Sequence, residues 1–145
     1  MATVNTYLNF PGNTEEAFNF YKSVFGGDFI GEISRFGDMP PQEGMPPMSE
    51  EHKKLVMHMA LPILGGHVIM GSDGLETMGQ KVNPGNNVHI SLAPDSREET
   101  TRLFNALSEG GVVTMQLADM FWGAYYGSCV DKFGIQWMLN FDPAQ

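Results

Sequence analysis

Apolar and polar side chains alternate along residues 4–10, VNTYLNF, and again along residues 88–93, VHISLA, the period of two that a half-buried strand requires. After each run the period lengthens. Ala17, Phe18, Tyr21 and Phe25 share one face at helical spacing, as do Leu103 and Leu107. Asn13 with Glu16, and Ser96 with Glu99, have the spacing of capping boxes that start two helices. Gly26-Gly27 and Gly110-Gly111 end them, because glycine takes the left-handed conformation without a steric penalty.

These markers repeat. Asn13 and Ser96 are 83 residues apart, and Gly26 and Gly110 are 84 apart. Two independent signals with nearly one offset argue for a duplicated module. Strand-like runs follow each helix: DFIGEISRF, LVMHMALPI and HVIMGSD in the first half, VVTMQL, YYGSCVD and IQWMLNF in the second. The expected fold is therefore α+β: two tandem βαβββ modules forming a cupped, mainly antiparallel sheet with helices on its outer face. Module 1 covers about residues 1–73, a linker 74–87, and module 2 about 88–142, within a single domain of 145 residues. Residues 38–53, rich in Pro and Met, are expected to be irregular.

Alternation assigns the faces. Val4, Leu8 and Phe10 oppose Asn5, Tyr7 and Asn9; Val88, Ile90 and Leu92 oppose His89, Ser91 and Ala93; Trp137, Leu139 and Phe141 oppose Gln136, Met138 and Asn140. The apolar rows should pack on the helices. The opposite rows carry Asn, Gln, Ser and His but no Lys or Glu, and methionines mix into them. A solvated strand face usually carries charges. An uncharged polar and thioether surface suits a pocket between the halves. The expected lining is Asn5, Tyr7, Asn9, Met57, Met59, Met70, Ser72, His89, Ser91, Trp122, Gln136, Met138 and Asn140.

Charge narrows the partners. The formal net charge is -9, with only 8 Lys and Arg, scattered along the chain. Nucleic acid and anionic membrane surfaces are then not expected to bind. No apolar run approaches the roughly 20 residues of a membrane span, and the N-terminus lacks a signal-peptide pattern. A single cysteine, Cys129, permits no internal disulfide and points to a reducing, cytoplasmic setting. No companion motif marks Cys129 as a nucleophile.

The order and spacing of several blocks resemble the PhnB-like (demethylubiquinone methyltransferase-like) branch of the glyoxalase/bleomycin resistance/dioxygenase, or vicinal oxygen chelate, superfamily. The blocks are Tyr7-Leu8-Asn9-Phe10, Ala17-Phe18-x-Phe20-Tyr21, Val24-Phe25-Gly26-Gly27, Met57-His58 and Met70-Gly71-Ser72-Asp73. Phe121-Trp122-Gly123, Tyr126-Gly127 and Asp131-x-Phe133-Gly134-x-x-Trp137-Met138 complete them, so the likeness runs from about Val4 to Phe141. The resemblance implies a homodimer whose modules cooperate around each cavity. It leaves the reaction open, since members include lyases, isomerases, dioxygenases, thiol transferases and binding proteins.

The resemblance also implies four metal-ligand positions, from the first and last strand of each module. Here they hold His89, Asn5 (or Thr6 one residue on), Met70 and Met138. Zn, Ni, Fe and Mn sites want imidazole and carboxylate, and a thioether serves them poorly. No catalytic metal and no cofactor are expected there, although another grouping, such as His58 with Asp73, leaves a divalent metal open. A tight turn at Gly65-Gly66 would set His58 opposite Asp73 on the helix side, where a buried hydrogen bond is the favoured reading; a slip of one residue would turn His58 into the cleft. The stretch FWGAYYG suits a loop over a pocket, a dimer seam or plain core packing.

Two functions lead the expectations, ahead of a non-catalytic protein whose acidic surface docks basic partners, which no compact charge motif supports. One is a metal-independent module that binds a small molecule. The other is a lyase, isomerase or dioxygenase with His89 as general base or ligand and Gln136 and Asn5 polarising a carbonyl. A methyltransferase is not supported, because no strand runs into a glycine-rich cofactor loop.

Overall fold

A computed structural model describes residues 1–40, 43–44 and 46–144. The chain divides into two compact units, Met1–Val82 and Asn83 to the C-terminus. In the first, strand β1 (Thr6–Phe10) leads to helix α1 (Thr14–Phe25), the two-residue strand β2 (Ser34–Arg35), the short helix α2 (Glu50–Lys54), and strands β3 (Val56–Pro62) and β4 (Val68–Asp73). In the second, β5 (Ile90–Leu92) leads to α3 (Arg97–Ser108), then β6 (Val112–Asp119), β7 (Tyr125–Val130) and β8 (Gln136–Phe141). The architecture is the α+β plan of two tandem βαβββ modules.

Each unit has one four-stranded mixed sheet, ordered β1-β4-β3-β2 and β5-β8-β7-β6. The outer pairs β1–β4 and β5–β8 are parallel and the rest antiparallel. The sheets repeat residue for residue. Leu8 pairs with Gly71 and Leu92 with Leu139; Met59 pairs with Gly71 and Gly127 with Leu139.

The helices cover one face of each sheet. Helix α1 buries Ala17, Phe18, Tyr21 and Val24 with Phe10, Met59, Leu61 and Ile69. Helix α3 buries Leu103, Phe104 and Leu107 with Leu92, Cys129, Trp137 and Leu139. Each such large apolar side chain contributes about 1.5–3 kcal/mol through burial.

Two buried carboxylates tie the elements together. Asp73, at the end of β4, accepts from Thr14 N at 2.9 Å, Thr14 Oγ1 at 2.6 Å and Val56 N at 2.8 Å. It sits where the positive end of the α1 dipole favours an anion. Asp131 accepts from Phe133 N and Ile135 N in the β7–β8 turn, and from Trp137 Nε1 at 2.8 Å.

Three expectations change. The Asn13–Glu16 capping box does not form: Asn13 makes no side-chain cap, its Oδ1 is buried with no partner among the described residues, and Asp73 caps α1 from the sheet. Ser96 does cap α3, accepting from Glu99 N at 3.1 Å. DFIGEISRF is a strand only at Ser34–Arg35, because Gly31 turns the chain at φ 68°, leaving Ile30 N to reach Ala60 O alone at 2.9 Å. Residues 38–53 were expected to be irregular, yet the helix Glu50–Lys54 begins there, capped by Ser49 Oγ on His52 N; Pro41, Gln42 and Met45 lie outside the described residues.

Candidate functional site: the open strand faces

Opposite α1, the first sheet presents Tyr7 and Asn9 from β1, Met70 and Ser72 from β4, and His58 from β3. Register fixes this: Tyr7 pairs with Met70 and Asn9 with Ser72 on the parallel side, and Ala60 pairs with Met70 on the antiparallel side. Ser72 Oγ donates to Asn9 Oδ1 at 3.1 Å. The Tyr7 and His58 rings lie 6.0 Å apart at 32°.

His58 is therefore on the open face, not opposite Asp73 on the helix side as the tight turn implied. Pro62 pairs with Val68, and Ile63 N donates to His67 O at 2.7 Å, so the turn holds an odd number of residues. The register slips by one, and every side chain of β3 changes side relative to the tight-turn expectation. Met59 is corrected for the same reason: it is 1% exposed and belongs to the core under α1, not to a pocket lining. Met57, half-buried, has the same strand parity as Met59.

The second sheet presents Ser91, Ser128, Met138, Tyr126 and Asn140. Ser91 and Ser128 flank Met138, and Tyr126 pairs with Asn140. Thr114 and Ser128 share a hydroxyl hydrogen bond at 2.7 Å, and Tyr126 OH lies 4.0 Å from Met138 Sδ. Gln136 Nε2 donates to Val88 O at 2.7 Å and fixes the segment leading into β5. His89 and Asn5 are exposed, each just before the first strand of its unit.

Trp122 stands apart from these rows. It and Phe121 cap the turn between β6 and β7, exposed by 57% and 98%, with rings edge to face at 4.9 Å. Met120 N donates to Ala124 O and Gly123 N to Met120 O, which closes the turn. Below it, Asp119 takes both arms of the Arg97 guanidinium at 2.7 and 2.8 Å, and that guanidinium lies 3.9 Å over the Tyr125 ring. The hydrogen bond to Arg97 holds the Asp119 carboxyl below the usual aspartate range.

Sequence reasoning favoured the helix side for His58 and missed Tyr126, Ser128 and Thr114. For the first, a signal existed. Gly66 and Gly134 are 68 residues apart, and that offset carries His58 onto Tyr126.

A family model described as 3-demethylubiquinone-9 3-methyltransferase matches residues 2–140. The chain belongs to that family, the PhnB-like branch of its superfamily. Protein YjdN of Escherichia coli (strain K12) is 31% identical over 144 residues, covering 94% of this chain and 93% of that protein. Among solved structures, protein PA1353 of Pseudomonas aeruginosa shares 36% identity over 98% of both chains, with a TM-score of 0.81. A putative 3-demethylubiquinone-9 3-methyltransferase, PhnB protein, of Bacillus cereus shares 27% identity over 97% of this chain and 99% of its own, with a TM-score of 0.72. A glyoxalase/bleomycin resistance protein/dioxygenase family enzyme of Burkholderia phytofirmans PsJN, at 16% identity and TM-score 0.60 over 95% of this chain and 98% of its own, shares the fold.

In this PhnB-like chain the positions that the superfamily resemblance assigns to a metal do not fit a divalent Zn, Ni, Fe or Mn ion. They offer one exposed imidazole, an amide and two thioethers. Among the described residues no three His, Cys, Asp or Glu side chains group to hold a metal. His58 and Asp73 sit on opposite faces of their sheet and form no pair. Nor is Cys129 poised as a nucleophile: it is fully buried, and burial, aided by the nearby Asp131, pushes its thiol up to about 11. No helix among the described residues is long and apolar enough to cross a membrane.

Proposed function

We propose that this chain binds a small organic molecule on its open strand faces and does so without a catalytic divalent metal. The observation that carries this reading is the row of Tyr, Ser, Asn and Met side chains there, with thioethers at Met70 and Met138 where the metal-dependent relatives would place carboxylates. Hydroxyls and amides orient a ligand, and thioethers and aromatic faces supply adaptable apolar contact. The family's description names a methyl transfer. Neither sheet supports it, because each has a single parallel pair and no doubly wound crossover for a nucleotide-like cofactor.

A homodimer accompanies this reading. The resemblance implies it, and β6 offers an edge strand with Val112, Val113 and Met115 exposed along it. The single cysteine fits a cytoplasmic setting.

The test combines native mass spectrometry with metal analysis and a thermal-shift screen against metabolites and antibiotics. The expected outcome is a dimer without stoichiometric divalent metal whose melting temperature keeps rising with the logarithm of ligand concentration above the dissociation constant. That rise should shrink when Met70 or Met138 is replaced by Lys. One tightly held Ni, Zn, Fe or Mn per chain, released by His89→Ala, would replace this reading with a Lewis-acid enzyme.

A further inference from the structure

We propose that the molecule held on these faces is an uncharged aromatic compound bearing hydroxyl or carbonyl groups, and not a phosphorylated, sulfonated or cationic one. This rests on the reading that the open strand faces are the binding surface.

The argument begins with where the charges are. The chain has 8 Lys and Arg, and none stands on an open strand face. Lys22, Lys53, Lys54, Arg97 and Arg102 are on helices. Arg35, on β2, is spent on Glu15 of α1 at 3.0 Å and on Lys54 O. Lys132 lies in the β7–β8 turn, and Lys81 follows β4 in the segment outside the strands. The carboxylates are also absent: Asp73 points at α1 and Asp119 is locked to Arg97. A phosphate or sulfonate placed on these faces would meet no Lys or Arg, only the imidazole of His58, on a chain whose net charge is -9. A cationic ligand would meet no fixed anion. An ionic ligand therefore loses hydration with no opposite charge of a Lys, Arg, Asp or Glu in return.

What the faces do offer is repeated in both units. Tyr7 is the cross-strand partner of Met70, and Tyr126 OH reaches Met138 Sδ at 4.0 Å. A thioether beside a phenol is a soft, polarizable floor that favours a flat ring. Around it stand hydroxyls and amides that serve as donor or acceptor, among them Ser72 with Asn9 and Ser128 with Thr114. Such groups satisfy a neutral hydroxyl or carbonyl of either polarity.

The test uses three probes with one ring: 2-naphthol, 2-naphthyl phosphate and the 2-naphthylmethylammonium ion. Binding is read on the full chain from the methionine methyl resonances, with Met70 and Met138 assigned through Met70→Leu and Met138→Leu. The expected result is that 2-naphthol shifts at least one of these methyls and saturates at about a tenfold lower concentration than either charged probe. Ser91→Lys, or Ser72→Lys if the former does not fold, should bring 2-naphthyl phosphate level with 2-naphthol. If a charged probe binds the original chain as tightly and moves the same methyls, the neutral class is wrong while the binding surface stands. If no probe moves Met70 or Met138, the surface itself is wrong and the class falls with it. If the lysine variants fold and still reject the phosphate, charge is not what selects, and the inference is overturned.

Discussion

The ring of Phe18 lies directly over Gly71: a Cβ built at Gly71 would stand 2.6 Å from its Cε1 and 2.9 Å from its Cζ. The second unit has the same device on the other strand of the pair. There Gly127, on β7, leaves room for the Leu117 backbone, whose Cα would be 2.8 Å from an added Cβ, and for Phe104, whose Cε2 would be 3.0 Å away. The cross-strand pairs are Met59–Gly71 and Gly127–Leu139, so each sheet sets one large and one absent side chain beneath its helix, in opposite order. The duplicated modules have kept the summed volume while exchanging its placement.

Gly71→Ala should accordingly destabilise the protein by about 1–3 kcal/mol through overpacking. Gly71 is not among the positive-φ glycines, so the effect is steric and not conformational. Phe18→Leu in the Gly71→Ala background should recover part of the loss. Urea unfolding of Gly71→Ala, Phe18→Leu and the double variant checks this, and losses that simply add in the double variant would show that the ring is not the obstacle.

Asp73 should be the most sensitive polar residue of the first unit. It is 4% exposed and accepts from three donors on two other elements. Removing it strands those donors, each at about 1–3 kcal/mol, so Asp73→Ala should cost at least about 3 kcal/mol. Thr14→Val removes one of the three and should cost less than half as much. Denaturant midpoints at constant m-value give the comparison; a loss below about 1 kcal/mol for Asp73→Ala would mean that water or Asn13 replaces the carboxylate.

The duplication was legible because helix ends are marked by residue type, and Gly26 and Gly110 keep their spacing whatever the loops do. The strand faces of β1, β5 and β8 were legible for the same kind of reason: alternation around Leu8, Leu92 and Leu139 leaves one register, although Val4 and Val88, expected in the helix-facing rows, lie ahead of their strands and are exposed. β3 was not. Val56, Met59, Ala60 and Leu61 are all buried, so the run has no polar–apolar period, and its register depends on the number of residues in the turn after Pro62. The open-face role of His58 follows from that turn and from no property of histidine. The cap on α1 was missed because Asp73 comes from 59 residues away in sequence, and local patterns see only Asn13.

The Arg97–Asp119 clamp should order the Phe121–Trp122 tip without adding to global stability. Both side chains are at least half exposed, and such pairs contribute little to folding. Arg97→Ala should leave the unfolding midpoint nearly unchanged but broaden or shift the Trp122 indole resonance. The pH dependence has a definite sign. The folded Asp119 carboxyl titrates below its unfolded value near 3.9, so the clamp is complete above that value and opens as pH falls through the lower, folded one. The Trp122 signal should hold steady from pH 7 to about 4.5 and move only below about 4. A transition near neutral pH would point to a different group.

Cys129 should behave as a buried apolar residue. It lies on the helix side of β7, paired with Trp137, and its thiol is pushed up to about 11. An unfolded cysteine titrates near 8.5, so at pH 8 the native thiolate fraction is lower by roughly two orders of magnitude even before access is counted. Reaction with a disulfide reagent should be slow in buffer, immediate in denaturing urea, and limited in buffer by the rate of opening. Because the folded value is raised, the thiol contributes stability that is present below the unfolded value and lost as pH climbs toward about 11. Cys129→Ala should remove that alkaline loss while leaving binding on the open face unchanged, since its side chain points the other way. A fast, stoichiometric reaction of the native protein at pH 8, or loss of ligand binding in Cys129→Ala, would place the thiol in the binding chemistry after all.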